Sequence, residues 1–181
     1  MIISAGKNEI FNFATPIGVG LINSAINLTR ICLFQKPEFL IFIGTAGSYG
    51  NKKIFDVIET SSASNIENCF LNKNCYTPIE NIISFSKDVS RETIINSSNY
   101  ITTDKEISEK YLKMKIDAEN MEFYSVMSVA KEFKIPTLGI FVITNYCNKN
   151  AHTEYIQNIE KAKKLLIERL VEKNILKEIN G

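Results

Sequence analysis

Apolar and polar positions alternate along the chain with two different spacings. Short runs rich in Ile, Val, Phe and Thr predict buried strands at residues 2–5, 13–19, 39–43, 56–63 and 137–144. Between these runs, apolar residues recur every three or four positions, which predicts helices at 21–34, 103–114, 121–133 and from 153 onward. A weaker strand pair is expected at 82–85 and 100–102, with a polar loop at 65–80.

Several residues predict where these elements lie or end. Pro16 places the second strand at an edge or a bend of the sheet. The sequence TDKE at 103–106 fits a capping box at a helix start, and Thr153 is expected to cap the last helix. One apolar face of that helix is formed by Ile156, Ile159, Ala162, Leu166, Leu170 and Val171.

Strands that alternate with helices predict an α/β fold. We expect a single domain, residues 1–181, with a mostly parallel sheet covered by helices on both faces. Ligands of such sheets bind beyond the carboxyl ends of the strands. The candidates at those ends are the glycine-rich turn at 44–47, Asn145, and the turns around Glu9 and Glu122.

Composition and charge exclude several classes of protein. The net charge of +1 gives no electrostatic reason to expect nucleic-acid binding. No apolar run reaches the roughly 18 residues that span a bilayer, and the start, MIISAGKNEI, lacks the features of a signal peptide. We therefore expect a cytoplasmic protein with no membrane partner. The 4 cysteines include no C-x-x-C pair and the chain has 1 histidine, so we expect free thiols and no zinc site.

Most of the polar candidates also have a purely structural explanation. GTAGSYG at 44–50 is neither a Walker loop nor a dinucleotide fingerprint, and it suits a tight turn as well as a backbone cradle for an anion. Asn120 suits a helix N-cap, with Glu122 complementing the helix dipole. Glu9 is by default a solvated carboxylate, and His152 a surface or capping residue.

Asn145 is harder to explain by structure alone. The segment TLGIFVITNYCN at 137–148 is a buried strand that carries an amide side chain at its tip. That amide could satisfy a loop. It is also a group that donates and accepts hydrogen bonds, as a ligand site requires.

Taken together, these segments resemble the purine nucleoside phosphorylase and nucleosidase family, above all the methylthioadenosine/S-adenosylhomocysteine nucleosidases. The matching segments, in the family's order, are IISAGKNEI, ATPIGVGLINSA, FLIFIGTAGS, FDVIETSSA, DAENMEFYSV and IPTLGIFVITNYCN. The resemblance implies a three-layer αβα sandwich around a mixed, mostly parallel twisted sheet. It also implies cleavage of the N-glycosidic bond of a purine nucleoside, without a metal or organic cofactor.

The same resemblance implies roles for residues around the sugar. Glu9 falls on the acid that positions the attacking water in nucleosidases. Met121 and Glu122 fall on the ribose site, where the carboxylate accepts hydrogen bonds from sugar hydroxyls. The turn that binds the nucleophile corresponds to Thr45, Ala46 and Gly47.

At the base, Asn145 falls on the position next to N7. In the family that this chain resembles, many adenine-releasing members have an Asp at this position, which acts as an acid that protonates N7. The 6-oxopurine phosphorylases have Ile-Thr-Asn, as this chain does at 143–145. An amide can donate to N7 but cannot protonate it, so we expect hypoxanthine- or guanine-type bases. Glu106 would accept N1–H of such a base, unless its carboxylate serves only the capping box.

Water is slightly favoured over phosphate as the nucleophile. Phosphorylases hold phosphate with arginines, and this chain has only Arg30, Arg91 and Arg169. Phe42 occupies the place of an Arg found in many phosphorylases, and Glu9 would repel phosphate. Inorganic phosphate remains possible as a co-substrate if Arg91 or a second subunit supplies the charge.

Two departures from the family leave a second class of function open. The segment between Glu9 and Phe13 replaces a longer hairpin, and the base-stacking Phe expected near Lys105 and Glu106 is missing. The alternative is a non-catalytic protein that binds purines or nucleosides. The family also implies a homodimer or larger homo-oligomer with sites near the interface.

Overall fold

The structure, a computed structural model, describes residues 1–86 and 92–177. Its strands are β1 (Ile2–Ser4), β2 (Thr15–Pro16), β3 (Leu40–Ser48), β4 (Val57–Thr60), β5 (Ser62–Ser64), β6 (Ile82–Ser84), β7 (Ile94–Ser97), β8 (Ile116–Asn120) and β9 (Thr137–Tyr146). Its helices are α1 (Leu21–Gln35), α2 (Asn68–Leu71), α3 (Lys105–Lys113), α4 (Phe123–Glu132) and α5 (Ala151–Glu172). In the described part of the chain, no helix is long and apolar enough to cross a membrane.

One mixed sheet organises the molecule, and β3 lies at its centre. β3 pairs in parallel with β1 and β9, and its carboxyl end pairs with β8 in the antiparallel direction. The sheet continues from β8 through parallel β7 and β5 to antiparallel β6, while β4 pairs with the far side of β9. β2 forms the opposite edge next to β1, as Pro16 predicts.

Helices cover both faces of this sheet, which makes the three-layer αβα sandwich. Neighbouring residues of a strand point to opposite faces, so Phe42 and Phe141 pack with α1 and α4. Ile43 and Val142 pack on the other face with α5. A third cluster beside α3 contains the stacked rings of Tyr49 and Tyr111. The predicted α/β fold class is confirmed.

The helices differ from the sequence prediction mainly at their starts. Asp104, not Thr103, caps α3, because the Asp104 carboxylate accepts hydrogen bonds from the N–H groups of Glu106 and Ile107. The last helix begins at Ala151, ahead of the predicted cap Thr153. Ile156 is 52% exposed although it was expected on the buried face of that helix.

The strands differ in several places. Only Thr15–Pro16 of the predicted strand at 13–19 forms a strand. The predicted strand at 56–63 is two strands, because β4 pairs with β9 whereas β5 pairs with β6 and β7. Residues 100–102 form no strand; β7 at Ile94–Ser97 takes the expected place in the sheet. The pattern missed β8 altogether, because three of its five residues, IDAEN, are polar.

The polar segment at 65–80 contains a short helix and a disulfide. α2 brings the Cα atoms of Cys69 and Cys75 to 5.5 Å, and these two residues are bonded. The prediction of free thiols is therefore wrong for this pair. It is confirmed for Cys32 and Cys147, which are both free and buried.

Candidate active site

A cavity of about 290 Å³ opens where β1, β3 and β9 end. Polar side chains from widely separated parts of the chain meet at its walls. The predicted site residues that line it are Glu9, Thr45, Ala46, Gly47, Met121, Glu122 and Asn145. The fold thus brings together the residues that the sequence assigned to the nucleophile, the sugar and the base.

Glu9 reaches the cavity from a tight turn after β1. Its N–H donates to the carbonyl of Gly6, and Lys7 inside the turn adopts a positive φ of 55°. The Glu9 carboxylate is buried and accepts hydrogen bonds from the Thr45 N–H (3.0 Å) and hydroxyl (2.5 Å). Burial raises the pKa of Glu9, and the two Thr45 bonds oppose that rise. Thr45 thus anchors one oxygen of the Glu9 side chain.

Two glycines of β3 make room for the polar side chains of the site. A methyl group on Gly44 would lie 2.9 Å from Glu9 Oε2, and one on Gly47 would lie 2.8 Å from Asn145 Nδ2. Both distances are shorter than real contacts allow. The glycine-rich sequence therefore serves the close approach of Glu9 and Asn145 to the strand.

Glu122 enters the cavity at the start of α4. Its Oε1 accepts from the Gly20 N–H at the beginning of α1 (2.9 Å), and its Oε2 accepts from the Met121 N–H (3.2 Å) and the Asn120 amide (3.1 Å). Burial raises the Glu122 pKa to about 7 against the N–H bonds, and the charge of Glu9 adds to the rise. The sequence offered a purely structural explanation, in which Asn120 caps α4 and Glu122 complements its dipole. Asn120 does accept from the Phe123 N–H of α4, whereas Glu122 accepts from the Gly20 N–H at the start of α1.

A β-bulge in β9 directs the Asn145 side chain at the tip of this core strand. β3 and β9 pair in register up to Ala46 and Ile143, after which Gly47 pairs with Asn145. Thr144 is the extra residue, and such a bulge re-aims the side chains that follow it. The Thr144 hydroxyl donates to Asn145 Oδ1 (2.9 Å), while Asn145 Nδ2 donates to the Tyr146 carbonyl (3.2 Å). Nδ2 has a second hydrogen that a ligand can accept.

Glu106 does not reach this site. It is an exposed residue in the first turn of α3, and it is not among the described residues that line the cavity. An aromatic side chain does line the cavity, from a different segment than expected. Tyr100 and Ile101 precede α3 and are 81% and 54% exposed, so they form an open apolar wall.

Glu119 is a buried acid of the cavity that the sequence reasoning missed. Its Oε1 accepts from the Thr102 N–H (2.8 Å), and its Oε2 accepts from the hydroxyls of Thr102 (2.7 Å) and Tyr49 (2.8 Å). Burial raises the Glu119 pKa, and the donors Thr102, Tyr49 and Cys147 oppose that rise. Recognising β8 as a strand would have revealed Glu119, because it lies at the end of that strand.

A family assignment follows from a comparison with known proteins. Residues 2–173 match the family model described as the phosphorylase superfamily, which is nearly the whole described chain. The chain belongs to the phosphorylase superfamily. The sequence resemblance to nucleoside phosphorylases and nucleosidases is thereby confirmed.

Several members of the superfamily with known names are similar to this chain. The 5′-methylthioadenosine/S-adenosylhomocysteine nucleosidase of Bacillus subtilis is 23% identical over 167 residues, which cover 80% of this chain and 72% of that protein. An Asp-to-Asn mutant of the Helicobacter pylori nucleosidase, solved with 5′-methylthioadenosine in the active site, superimposes with a TM-score of 0.79 at 17% identity. That match covers 95% of this chain and 97% of the other.

The native futalosine hydrolase of H. pylori strain 26695 gives a TM-score of 0.78 at 17% identity, over 95% of this chain and 96% of that chain. At such low identity these structures establish the fold. The expected nucleoside-phosphorylase type of αβα sandwich is therefore confirmed by structure as well as by sequence.

The arginines of this superfamily member lie away from the cavity wherever the structure describes them. Arg30 is exposed on α1, and Arg169 on α5 pairs with Glu59 and Glu172. Neither lines the cavity, and Arg91 lies outside the described residues. Among the residues described, no cluster of His, Cys, Asp or Glu could hold a metal ion.

Proposed function

We propose that this protein hydrolyses the N-glycosidic bond of a purine nucleoside to the free base and the sugar. The observation that carries the proposal is that Glu9, Thr45, Glu122 and Asn145 line the same cavity. Breaking this bond leaves positive charge on the sugar and negative charge on the base. A site that stabilises both charges lowers the barrier.

The buried carboxylates suit the sugar. Glu9 has one oxygen fixed by Thr45, and its other oxygen is available to accept a proton from an attacking water. Burial raises the Glu9 pKa, which makes the ionised side chain a stronger base. Glu122 and Met121 would hold the ribose, and ionised Glu122 would also attract the positive charge that develops at C1′.

Asn145 suits the departing base. Its Nδ2 has a hydrogen to donate to N7 of the purine, while Thr144 fixes the amide by donating to Oδ1. An open wall of Tyr100 and Ile101 offers an apolar surface for one face of the ring. An amide stabilises negative charge on the base without transferring a proton.

Water is the nucleophile that the charges favour. Phosphate would have to approach the buried carboxylate of Glu9, and neither described arginine lines the cavity to balance it. The names of the similar proteins, nucleosidases and a hydrolase, agree with this preference. Phosphate as a co-substrate is the alternative for the same bond cleavage.

The expected preference for 6-oxopurines is not supported. The similar proteins named for their substrates act on 5′-methylthioadenosine and S-adenosylhomocysteine, which contain adenine. Glu106, which was to accept N1–H of a 6-oxopurine, is exposed on α3 instead. We therefore propose adenine nucleosides as the first substrates to test.

One assay tests the proposal. The protein is incubated with adenosine, methylthioadenosine, inosine and guanosine, with and without inorganic phosphate, and free base is measured by chromatography. Free base without phosphate is the expected result. Product that requires phosphate would identify a phosphorylase, and a lack of product from every nucleoside would refute catalysis on them.

One further candidate is a non-catalytic protein that binds nucleosides. Asn145 favours it because an amide cannot protonate N7 of the base. Calorimetric titration of the same compounds separates the two candidates. Binding without release of base would support the binding protein, whereas turnover would exclude it.

A homodimer or larger homo-oligomer stays a prediction, as does a cytoplasmic location. The α1 helix exposes Ile22, Ile26 and Leu33, at 67%, 54% and 55%, and apolar residues in such a row are typical of subunit contacts. Light scattering on the eluted protein measures the mass directly. A monomeric mass would contradict the prediction.

A further inference from the structure

Two side chains of α5 bond to the backbone on either side of Asn145. Glu154 lies in the first turn of this helix, and its Oε2 accepts from the Tyr146 N–H (2.8 Å). Asn158 follows four residues later, and its Nδ2 donates to the Thr144 carbonyl (2.8 Å). Residues four positions apart lie on the same face of a helix. One face of α5 therefore contacts both neighbours of the amide.

The pairing of β9 with β4 ends just before this point. β4 pairs with β9 as far as Val142, and Ile143 exchanges backbone hydrogen bonds with Phe55 and Asp56 ahead of β4. The backbone groups next to Asn145 lie beyond this pairing, and buried backbone groups need a partner. Side chains of α5 provide those partners.

The same two neighbours fix the side chain of Asn145. The Thr144 hydroxyl donates to Asn145 Oδ1 (2.9 Å), and Asn145 Nδ2 donates to the Tyr146 carbonyl (3.2 Å). The direction of the amide thus depends on the positions of Thr144 and Tyr146. Since α5 bonds to the backbone of both residues, it controls the amide through them.

The helix does not need these two bonds to stay on the sheet. Its apolar face, with Ala162, Leu166 and Leu170 buried, packs against Ile43 and Val142. We expect this packing to persist when a polar contact at the start of α5 is removed. The effect of such a change is then confined to the backbone around the amide.

We propose that Glu154 and Asn158 are positioning residues for the departing base, because they fix the backbone that directs the Asn145 amide towards N7. The inference rests on the proposed function, which places the base beside this amide. A donor that is already oriented stabilises negative charge on the base without being reorganised as the bond breaks. Glu9 and Glu122 lie on other elements, so the sugar site does not depend on these two bonds.

Two nucleosides that differ at one position of the base test the proposal. In 7-deazaadenosine a C–H group replaces N7 of adenosine, so the Asn145 amide loses its acceptor. We expect the wild-type protein to bind adenosine about ten-fold more tightly in calorimetric titrations, the usual scale of a lost hydrogen bond. In Asn158→Asp and in Glu154→Met this ratio should fall to within about two-fold, because each variant lacks one bond to the backbone beside the amide.

Control variants on the same helix show whether the two bonds matter. Gln157→Glu and Glu168→Met make similar changes at exposed residues of α5 and should keep the wild-type ratio. Glu154→Gln should keep it too, since its amide oxygen can accept from the Tyr146 N–H. An unchanged ratio in Asn158→Asp or in Glu154→Met, or equal binding of the two nucleosides by the wild-type protein, would overturn the inference.

Cleavage of 4-nitrophenyl β-D-ribofuranoside separates positioning from a general loss of structure. Its leaving group has no N7 and departs as a stable anion, so this reaction needs the sugar site and not the amide. In Asn158→Asp, kcat for adenosine should fall about ten-fold, whereas kcat for the nitrophenyl riboside should stay within about two-fold of the wild-type value. An equal fall for both substrates would overturn the inference.

The binding measurements also separate this inference from the proposed function. If the wild-type protein cleaves no nucleoside, the proposed function fails. A preference for adenosine over 7-deazaadenosine that Asn158→Asp abolishes would still support the inference. If nucleosides are cleaved but the variants keep the preference, the inference alone fails. Binding of neither nucleoside would overturn both proposals.

Discussion

Glu9 and Glu122 are buried acids held by N–H and hydroxyl groups, and each has a raised pKa. Burial disfavours the charged form of a carboxylate, and two such groups near each other disfavour it further. In the proposed reaction, a sugar that becomes positively charged would relieve this cost. The two acids would then be more stable beside the transition state than in the empty cavity.

Glu9→Gln should reduce kcat by at least about 10²-fold, the usual effect of losing a general base. The amide keeps the size of the side chain but cannot accept a proton from water. Single-turnover kinetics on the preferred nucleoside measure the effect. Glu160→Gln, an exposed residue of α5, serves as the control. Near-normal turnover in Glu9→Gln would remove Glu9 from the mechanism.

Asn145→Asp should shift the protein towards adenine nucleosides. The carboxyl group that this substitution introduces could, when protonated, deliver a proton to N7, and general acids contribute about 10²-fold or more. We expect the ratio of kcat/KM for adenosine to that for inosine to rise on this scale. Asn148→Asp makes the same chemical change outside the lining of the cavity. An unchanged ratio would argue against the role of Asn145 at the base.

Single elements position these side chains, and β8 shows how. Glu119 at its end accepts both donors of Thr102, which fixes the segment with Tyr100 and Ile101 against the cavity. The Asn99 side chain ties the same segment to the start of α1 by accepting from the Leu21 N–H (2.9 Å). Tyr100, which is 81% exposed, is thus held in place through the buried side chain of Glu119.

Glu119→Ala should raise KM about ten-fold with little change in kcat, because it frees the wall and leaves the Thr102 N–H unpaired. Glu119→Gln should restore KM, since the hydroxyls of Thr102 and Tyr49 can rotate to accept from its amide. Asp117→Ala, on the same strand but bonded to Asn51, is the control. A fall in kcat at constant KM would contradict a positioning role.

The sequence predicted elements best where periodicity was strong and long. α1, the core of β3 and most of β9 follow directly from their apolar spacing. β8 and the course of residues 99–102 were missed because long-range hydrogen bonds of Glu119, not local pattern, hold them. The same reason explains the site. The resemblance gives a role to Glu9, Glu122 and Asn145, whereas Glu119 lies in the same segment, DAENMEFYSV, but its place at the cavity is evident only from its contacts with Thr102 and Tyr49.

At the scale of the whole molecule, the central sheet brings together residues that are more than a hundred positions apart. The Gly20 N–H bonds to Glu122 across 102 residues, and this bond joins the start of α1 to the start of α4. Buried acids at such a junction make folding depend on pH. The free energy of unfolding should therefore change with the protonation of the buried acids of the site.

The raised Glu122 pKa gives that dependence a sign. The Glu122 pKa is 4.5 in the unfolded chain and about 7 in the folded protein. The contribution of Glu122 to the free energy of unfolding is therefore complete below pH 4.5. This contribution falls as the pH rises to about 7 and above, by about 3 kcal/mol in all. Urea titrations between these pH values measure it. Glu122→Gln should flatten the profile, and an equally steep profile in that variant would contradict the assignment.

The extra residue in β9 separates the stability of the strand from the direction of its last side chain. Ile143 and the residues before it pair with β3 in register, whereas Asn145 follows the inserted Thr144 and lines the cavity. Deleting Thr144 would remove no apolar side chain, but it would remove the hydroxyl that donates to Asn145 Oδ1 and the carbonyl that accepts from Asn158 on α5. One inserted residue thus connects the direction of the amide in the cavity with the attachment of the last helix.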